Sequence, residues 1–253
     1  MRLMLRWPGM RVALLADIHA NLAALEAVLR DAAAQGFDAC WHLGDVVGYG
    51  PDPDAVVGRL VELEAPGVGG NHDGAAAGLL PLDQFVPLAA EANRWTAQTI
   101  SPATLEFLRG LPQVVRDGGV TLVHGTLADP VWEYFSTYEA AERHFALQET
   151  PWSVTGHTHL PLVVRQGPVS GELDIVVPEH GGVVELGAGP VCINPGSVGQ
   201  PRDGDARAGY AILDTGTGEA TFRRVEYDIA ATQQRMMAAG LPGPLIERLA
   251  RGR

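Results

Sequence analysis

The chain has 253 residues, of which 46% are hydrophobic and 19% are charged, and its formal net charge is -12 at pH 7. This composition is typical of a globular protein, and the negative charge argues against a general nucleic-acid binder, which would carry a basic surface. No apolar run approaches the roughly 20 residues that a membrane-spanning helix needs. We therefore expect a cytoplasmic protein that is neither secreted nor bound to a membrane, and either Met1 or Met10 as its start.

The first part of the chain alternates between predicted strands and predicted helices. Short apolar runs predict the strands, and apolar side chains at helical spacing predict the helices. The expected elements are a strand at residues 11–16, a helix capped by Asn21 that extends to about Gln35, a strand at residues 39–43, a helix near residues 54–63 and a strand at residues 67–69. The strands end at Asp17, at Asp45 and just before Asn71, so the pattern predicts a mostly parallel sheet with a site at its carboxyl edge.

The later part of the chain predicts helices first and then many short strands. Residues 82–108 have helical periodicity with breaks at Pro87 and Pro102, which we interpret as a helical insertion at about residues 82–109 of a single domain, residues 1–253. The elements that follow are a hairpin at residues 113–123, a helix at residues 137–148, a strand at residues 152–155, six short strands between residues 162 and 224, a helix at residues 228–239 and a tail near residues 245–250. The strands after His159 predict a second, largely antiparallel sheet packed on the first.

The polar residues at the strand ends form a mixed set of oxygen and nitrogen donors: Asp17, His19, Asp45, Asn71, His124, His157 and His159. Imidazole together with carboxylate suits Mn, Fe, Zn, Ni or Co and does not suit a purely oxygen-coordinated Ca site. This set is too large for one such ion and suffices for two divalent ions that share a bridging group, for which Asp45 is the candidate. Their charge would attract phosphate and lower the pKa of a bridging water molecule, which gives a hydroxide nucleophile.

Three further groups are candidates for roles around these metals. His72 follows Asn71 and is interpreted as a general acid or as an electrostatic stabiliser of an oxygen atom of the substrate. Asp73 is expected to orient the His72 imidazole from behind. Tyr49 and Arg202 are candidate substrate-binding residues, with Arg202 assigned to a second phosphate, and the alternative for Arg202 is a surface ion pair.

Other polar and aromatic residues have simpler interpretations. The aromatic residues after His124, which are Trp132, Tyr134 and Phe135, are interpreted as packing residues, with a stacking wall for a base or an aryl group as the alternative. Of the remaining histidines, His42 is expected to lie in the core or beside a metal ligand. His144 is expected to pack against neighbouring residues or to lie at the surface, and His180 is expected to be exposed to solvent. Cys40 and Cys192 are expected to be small buried hydrophobic residues, since two cysteines make no disulfide framework.

The metal-site motifs resemble those of the calcineurin-like metallophosphoesterase superfamily. Its blocks Asp-x-His, Gly-Asp, Gly-Asn-His-Asp, His and Gly-His-x-His occur in order over residues 17–159, and residues 194–202 (NPGSVGQPR) resemble the small bacterial and archaeal branch of YfcE-like phosphodiesterases and their diadenosine-tetraphosphatase-like relatives. The resemblance implies an α+β fold of four layers (α/β/β/α), in which two packed mixed β-sheets are flanked by helices. It assigns one metal to Asp17, His19, Asp45 and His159, and the other to Asp45, Asn71, His124 and His157, with His72 assisting phosphoryl transfer.

The function predicted from the sequence is hydrolysis of a phosphodiester or of a small phosphorylated metabolite at a dinuclear metal site. A phosphodiester is favoured over a monoester, and nucleotides are among the candidate substrates. The alternative is a non-catalytic protein-binding scaffold of the same fold, which the complete ligand set and the presence of His72 disfavour. Neither stable nucleic-acid binding nor a membrane partner is expected, and a homo-oligomer is left open.

Overall fold

Two β-sheets and their flanking helices make up the structure, a computed structural model that describes residues 9–167, 172–187 and 189–253. The strands are β1 (Arg11–Leu15), β2 (Ala39–His42), β3 (Val114–Asp117), β4 (Val120–Val123), β5 (Trp152–Val154), β6 (Pro161–Gln166), β7 (Leu173–Val176), β8 (Val183–Glu185), β9 (Val191–Pro195), β10 (Ala208–Asp214) and β11 (Glu219–Val225). The helices are α1 (Leu22–Gln35), α2 (Pro53–Glu62), α3 (Asn71–Ala76), α4 (Pro87–Thr99), α5 (Pro102–Gly110), α6 (Tyr138–Leu147), α7 (Ile229–Ala238) and α8 (Gly243–Leu249).

Both sheets are mixed. The first has the strand order β2-β1-β10-β11-β8, and the second has the order β3-β4-β5-β9-β6-β7. In the first sheet β1 is parallel to β2 and antiparallel to β10. In the second sheet β5 is parallel to β4 and β9, whereas β6 is antiparallel to β9. Apolar side chains fill the space between the sheets, α1 packs on the first sheet and α6 on the second. The expected fold of two mixed sheets flanked by helices is therefore confirmed.

Strand β1 shows why the strands that lead to the site are largely apolar. Val12 and Leu14 pack between the two sheets, whereas Ala13 and Leu15 pack in the cluster that includes Leu25 of α1. Consecutive side chains of a strand face opposite sides of the sheet, so residues 12–15, which are covered on both faces, are all apolar. Polar functional residues therefore begin where the strand ends.

The prediction that the later strands form a sheet of their own is wrong. Strands β8, β10 and β11 extend the sheet that contains β1 and β2, whereas β6, β7 and β9 join the sheet that contains β4 and β5. The chain crosses between the layers after His159, and alternation of polar and apolar residues does not encode which strand is the neighbour. Both sheets thus combine early and late parts of the chain.

The strand predicted at residues 67–69 is also absent. A single bridge joins Gly67 to His42, and helix α3 begins at Asn71. A Cβ on Gly67 would lie 2.4 Å from Cγ of the His42 ring, so the missing side chain allows the backbone to pass over that ring. The segment is too short to add a regular strand, but it delivers Asn71 to the edge of the first sheet.

The predicted helices agree better with the structure. The Asn21 side chain accepts a hydrogen bond from the backbone N–H of Ala24 and caps α1, as expected. Pro87 and Pro102 are the first residues of α4 and α5, because proline at the first helical position gives up no hydrogen bond. Within the described residues no helix combines the length and apolar character needed to span a membrane. The N-terminal residues 1–8, on which the choice of start depends, lie outside the described residues.

Candidate metal centre

The candidate ligands lie on loops that leave the carboxyl ends of β1, β2, β4 and β5, and at the first residue of α3. They form two groups in which one donor atom of each residue lies within 4.8 Å of the others, and Asp45 belongs to both. The first group contains Asp17, His19, Asp45 and His159, and the second contains Asp45, His124 and His157. Asn71 adjoins the second group, because its Oδ1 lies 3.3 Å from Nε2 of His124. All of these residues are buried.

In the first group two imidazoles face each other. Nδ1 of His19 lies 3.1 Å from the carbonyl oxygen of Val47, and Nδ1 of His159 lies 2.6 Å from that of Gln200. A carbonyl oxygen only accepts hydrogen bonds, so each Nδ1 carries the proton and each neutral ring keeps its lone pair on Nε2. The two Nε2 atoms are 3.2 Å apart. Two lone pairs therefore converge on one point.

The second group repeats this arrangement. Nδ1 of His124 lies 2.7 Å from the carbonyl oxygen of Leu43, and Nε2 of His157 lies 3.1 Å from that of Trp132. The remaining nitrogens, Nε2 of His124 and Nδ1 of His157, are 3.1 Å apart. Two metal–nitrogen bonds of about 2.0–2.1 Å at an angle of roughly 90–110° separate their nitrogens by about 2.8–3.4 Å. Both pairs of nitrogens therefore have a spacing that fits a shared metal ion.

The carboxylates complete the two groups. Oδ2 of Asp45 lies 3.7 Å from Nε2 of His19 and 3.5 Å from Nε2 of His124, so it faces both groups and is placed to bridge them. The other oxygen, Oδ1, accepts a hydrogen bond from the backbone N–H of His72. Asp17 accepts the backbone N–H of His157 at Oδ1, but its buried Oδ2 has no hydrogen-bond partner among the described residues. A buried carboxylate oxygen without a partner is unfavourable unless it binds a cation.

The ionisation of these groups reflects their burial. Burial raises the pKa of Asp17 to about 7 and lowers the pKa of His157 to about 3. It also lowers the pKa of His19 and of His159 well below the ordinary range, so these rings are neutral and available as ligands. Although burial lowers the pKa of His124, the charge and hydrogen bond of Asp45 raise it to about 9. A metal ion in the second group must therefore displace a proton.

The backbone at the candidate ligands is strained. Asp17, His19 and Asp45 have φ values of 51°, 50° and 50°, and His157 and His159 have φ values of 67° and 61°. Non-glycine residues rarely adopt this left-handed conformation, which costs about 1–3 kcal/mol each and is concentrated at functional sites. The conformation also explains why His157 and His159 face different groups: the segment has left the strand, where residues two apart share a face.

Two glycines are required by close contacts around Asp45. A Cβ on Gly70 would lie 2.1 Å from Oδ1 of Asp45, and a Cβ on Gly44 would lie 2.6 Å from the backbone nitrogen of Gly70. Gly44 also has a φ of +84°. The glycines of the Gly-Asp and Gly-Asn-His-Asp blocks thus allow the two loops to touch, which places Asn71 opposite Asp45.

The predicted role of Asp73 as the group that orients His72 is wrong. The Asp73 carboxylate accepts the backbone N–H groups of Val47 and Gly70, both at 3.0 Å, and so fixes the two loops. Nδ1 of His72 instead lies 3.1 Å from Oδ1 of Asn93, a buried residue of α4. Nε2 of His72 has no hydrogen-bond partner among the described residues.

A cavity of about 260 Å³ opens onto the two groups. Its lining includes Tyr49 and Arg202, the two residues predicted to contact substrate. Its aromatic wall contains Phe85, Trp132 and Tyr134. The Tyr134 ring stacks on the His157 ring, with centroids 4.0 Å apart and an interplanar angle of 5°. The third residue of the predicted aromatic cluster, Phe135, is buried away from this cavity among core residues of α6 and the second sheet.

Sequence comparison identifies the family of this protein. The sequence model of the family described as "Calcineurin-like phosphoesterase superfamily domain" matches residues 10–218. The chain belongs to the calcineurin-like phosphoesterase superfamily. It is 36% identical over 249 residues to the uncharacterized protein MJ0912 of Methanocaldococcus jannaschii, and the match covers 96% of this chain and 98% of that protein.

Solved structures of the calcineurin-like phosphoesterase fold are similar over most of the chain. A metallophosphoesterase from Sphaerobacter thermophilus has a TM-score of 0.88 and 44% identity, and the match covers 96% of this chain and 99% of that chain. A putative diadenosine tetraphosphatase shares the fold with a TM-score of 0.55 and 22% identity, over 88% of this chain and 96% of that chain. The family predicted from the motif blocks is thus confirmed, and a phosphoesterase with clusters of Asp and His that could hold metal is indicated.

The remaining histidines and cysteines lie outside the candidate metal centre of this superfamily member. His42 is buried against Phe107 in the core, and His144 is buried between the backbone N–H of Leu127 and the Ser153 hydroxyl. His180 is exposed, as expected. The two cysteines, Cys40 and Cys192, are free and buried, also as expected.

The residues that the motifs missed belong to segments without a local signature. Asn93 and Phe85 come from the helical region at residues 82–109, which contains no cluster of ligand residues. Asn93 does lie on the apolar face of its predicted helix, beside Ala89, Ala92 and Thr96, all of which are buried. A single amide among apolar positions is a signal that could have indicated a buried hydrogen bond.

Proposed function

We propose that this protein is a dinuclear, metal-dependent phosphohydrolase that cleaves a phosphodiester or a small phosphorylated metabolite, with diesters preferred over monoesters. The observation that carries the proposal is the convergence of imidazole lone pairs in two pairs, 3.2 Å and 3.1 Å apart, on either side of Asp45. Superfamily membership supports the same chemistry. The donor set suits two divalent ions chosen from Mn, Fe, Zn, Ni and Co.

The assignment of ligands follows the two groups. One ion would be held by Asp17, His19, Asp45 and His159, and the other by Asp45, Asn71, His124 and His157. When bound, such ions would stabilise negative charge on the phosphoryl oxygens and would lower the pKa of a coordinated water molecule. All four ligand imidazoles donate their other ring N–H to a backbone carbonyl, which fixes their tautomer and orientation.

The other residues of the cavity bind the substrate and move a proton. His72 donates a proton from Nε2 to the oxygen of the leaving group, and the Asn93 carbonyl holds its Nδ1–H. Burial lowers the pKa of the His72 imidazole to about 4, so an anionic substrate beside the ring is needed to favour its protonated form. Arg202 and Tyr49, which line the same cavity, contact the phosphoryl group.

The aromatic wall supports a substrate with a planar group. Phe85, Trp132 and Tyr134 present rings to the cavity, and such rings stack on bases or aryl groups. A diester offers a second substituent for this wall, whereas most monoester metabolites do not. A nucleotide is therefore among the substrates proposed, and the net charge of -12 disfavours long nucleic acids.

Hydrolysis by metal-loaded protein tests the proposal. Protein stripped with a chelator and reloaded separately with Mn, Co, Ni or Zn should release para-nitrophenol from bis(para-nitrophenyl) phosphate, and more slowly from para-nitrophenyl phosphate. The His72→Ala variant should bind the same metals and lose most of its turnover. A folded, fully metal-loaded protein that hydrolyses neither ester with any metal would instead favour the non-catalytic scaffold.

A further inference from the structure

Two arginines meet beside the candidate metal centre on a single acceptor atom. Nη2 of Arg202 lies 3.2 Å from Oε1 of Gln200, and Nη2 of Arg248, which belongs to α8, lies 2.6 Å from the same oxygen. The backbone carbonyl of Gln200 accepts a hydrogen bond from Nδ1 of His159. One residue therefore connects two guanidinium groups to a metal-centre imidazole.

Neither guanidinium is neutralised by an acidic side chain in the described part of the chain. Most described arginines pair with Asp or Glu, as Arg223 does with Asp31, but Arg202 and Arg248 form no such pair. Nε of Arg202 is buried without a hydrogen-bond partner among the described residues. Nε of Arg248 donates to the main-chain oxygen of Arg253. In an acidic protein, two adjacent arginines that pair with no Asp or Glu side chain indicate that an anion binds between them.

The electrostatics of Arg248 agree with this interpretation. Burial and the neighbouring charge of Arg202 lower the pKa of the Arg248 guanidinium. The Arg248 guanidinium carbon lies 5.2 Å from the centroid of the Tyr49 ring, which itself lines the cavity. Arg202 lines the same cavity. The pair thus lies at the Tyr49 side of the cavity, where Gln200 connects it to His159 of the first group.

We propose that Arg202 and Arg248 bind a second phosphoryl group, directly attached to the one that is hydrolysed. The preferred substrates are then esters of nucleoside polyphosphates, whose bases stack on the aromatic wall. A guanidinium group suits this role, because its planar set of N–H donors matches two oxygens of a phosphoryl group. This inference rests on the proposed function and extends it, because a second phosphoryl group bound by Arg248 specifies the class of substrate.

Two substrates with the same leaving group separate the role of Arg248 from general catalysis. One is the para-nitrophenyl ester of thymidine monophosphate, and the other is the terminal para-nitrophenyl ester of thymidine triphosphate. Release of para-nitrophenol measures kcat/KM for each. In Arg248→Gln the ratio of the triphosphate ester to the monophosphate ester should fall about 10- to 100-fold, the effect of losing a charge-assisted hydrogen bond. In Arg248→Lys this ratio should lie between the ratios of Arg248→Gln and of the wild type, because lysine keeps the charge and lacks the planar set of donors.

A matched control and a binding measurement make the test decisive. Arg30 of α1 is exposed and does not line the cavity, and Arg30→Gln should leave the ratio unchanged. Calorimetry should show that Arg248→Gln weakens thymidine triphosphate binding at least tenfold and thymidine monophosphate binding much less. Equal losses for both nucleotides, or no loss for the triphosphate, would overturn the inference. Absence of turnover in the wild type would count against the proposed function alone, because the binding measurement still decides the role of Arg248.

Discussion

The contact between Asn93 and His72 gives the sharpest test of the proton donor. Both side chains are buried, and Oδ1 of Asn93 lies 3.1 Å from Nδ1 of His72. This hydrogen bond raises the pKa of the imidazole against the effect of burial and holds the ring so that Nε2 is left for the substrate. In Asn93→Ala the carbonyl is removed, so the protonated ring loses its partner and becomes harder to form.

The size of the effect follows from the strength of the lost interaction. A hydrogen bond to a charged group contributes about 1.5–3 kcal/mol. At about 1.4 kcal/mol per factor of ten, its loss from the protonated ring lowers kcat by roughly 10- to 100-fold for a substrate whose leaving group needs the proton. A leaving group that departs as a stable anion needs less protonation, so its kcat should fall only a few-fold.

The assay is therefore a comparison across leaving groups. Steady-state kcat is measured for phosphodiesters that release para-nitrophenol, phenol or an alkyl alcohol, in the wild type and in Asn93→Ala. The matched control is Thr96→Val, because Thr96 is also buried on α4 but bonds only to the carbonyl of Ala92 on its own helix. Equal losses for every leaving group, or a loss of bound metal in Asn93→Ala, would refute the assigned role of this contact.

Three further predictions concern acid stability, the loop contact and the metals. The His144 ring accepts a hydrogen bond from the backbone N–H of Leu127, and burial lowers its pKa from 6.5 to about 4. The ring therefore stays neutral in the folded protein, whereas in the unfolded chain it binds a proton more tightly. The free energy of unfolding should then drop by up to about 3 kcal/mol as pH falls from 6.5 to 4, and denaturant titrations of His144→Gln should show a shallower pH dependence. Gly70→Ala should lower kcat about 100-fold or more and reduce the amount of bound metal, because the new Cβ would lie 2.1 Å from Oδ1 of Asp45. The control Gly58→Ala should change neither quantity, because its Cβ would meet no atom within 4 Å. Chelation of the metals should lower the melting temperature in calorimetry by roughly 5 °C or more, and an unchanged melting temperature would contradict metal binding to the folded chain.

Local patterns predicted the elements that lead into the site. Strand β1 and helix α1 were expected within a residue of their observed ends, because apolar runs and a capping asparagine are encoded in consecutive residues. The same reasoning placed polar residues at the strand ends, and the structure brings them together in two groups around Asp45. Sequence order thus located the candidate site, but the predicted mostly parallel sheet is wrong. In the first sheet only β1 and β2 are parallel, and the strands that lead to His124 and His157 belong to the second sheet.

The contacts that involve distant segments could not be predicted in this way. The sheet that each late strand joins depends on a crossing between layers, and no residue pattern in β8 or β9 records it. The contact of Asn93 with His72 depends on how α4 packs on α3, and Arg248 reaches Gln200 only through the position of α8. The left-handed conformation of His157 and His159 also has no signature in their side chains.

The number of metal ions bound by paired histidine variants tests the dinuclear site most directly. Metal content per chain is measured by mass spectrometry in the wild type, in His157→Ala, in His159→Ala and in the double variant, with the exposed His180→Ala as the control. The wild type and the control should bind about two equivalents, each single variant about one and the double variant almost none, because the two imidazoles serve different ions. A double variant that keeps one full equivalent would contradict this assignment, because His157 and His159 would then share a single ion.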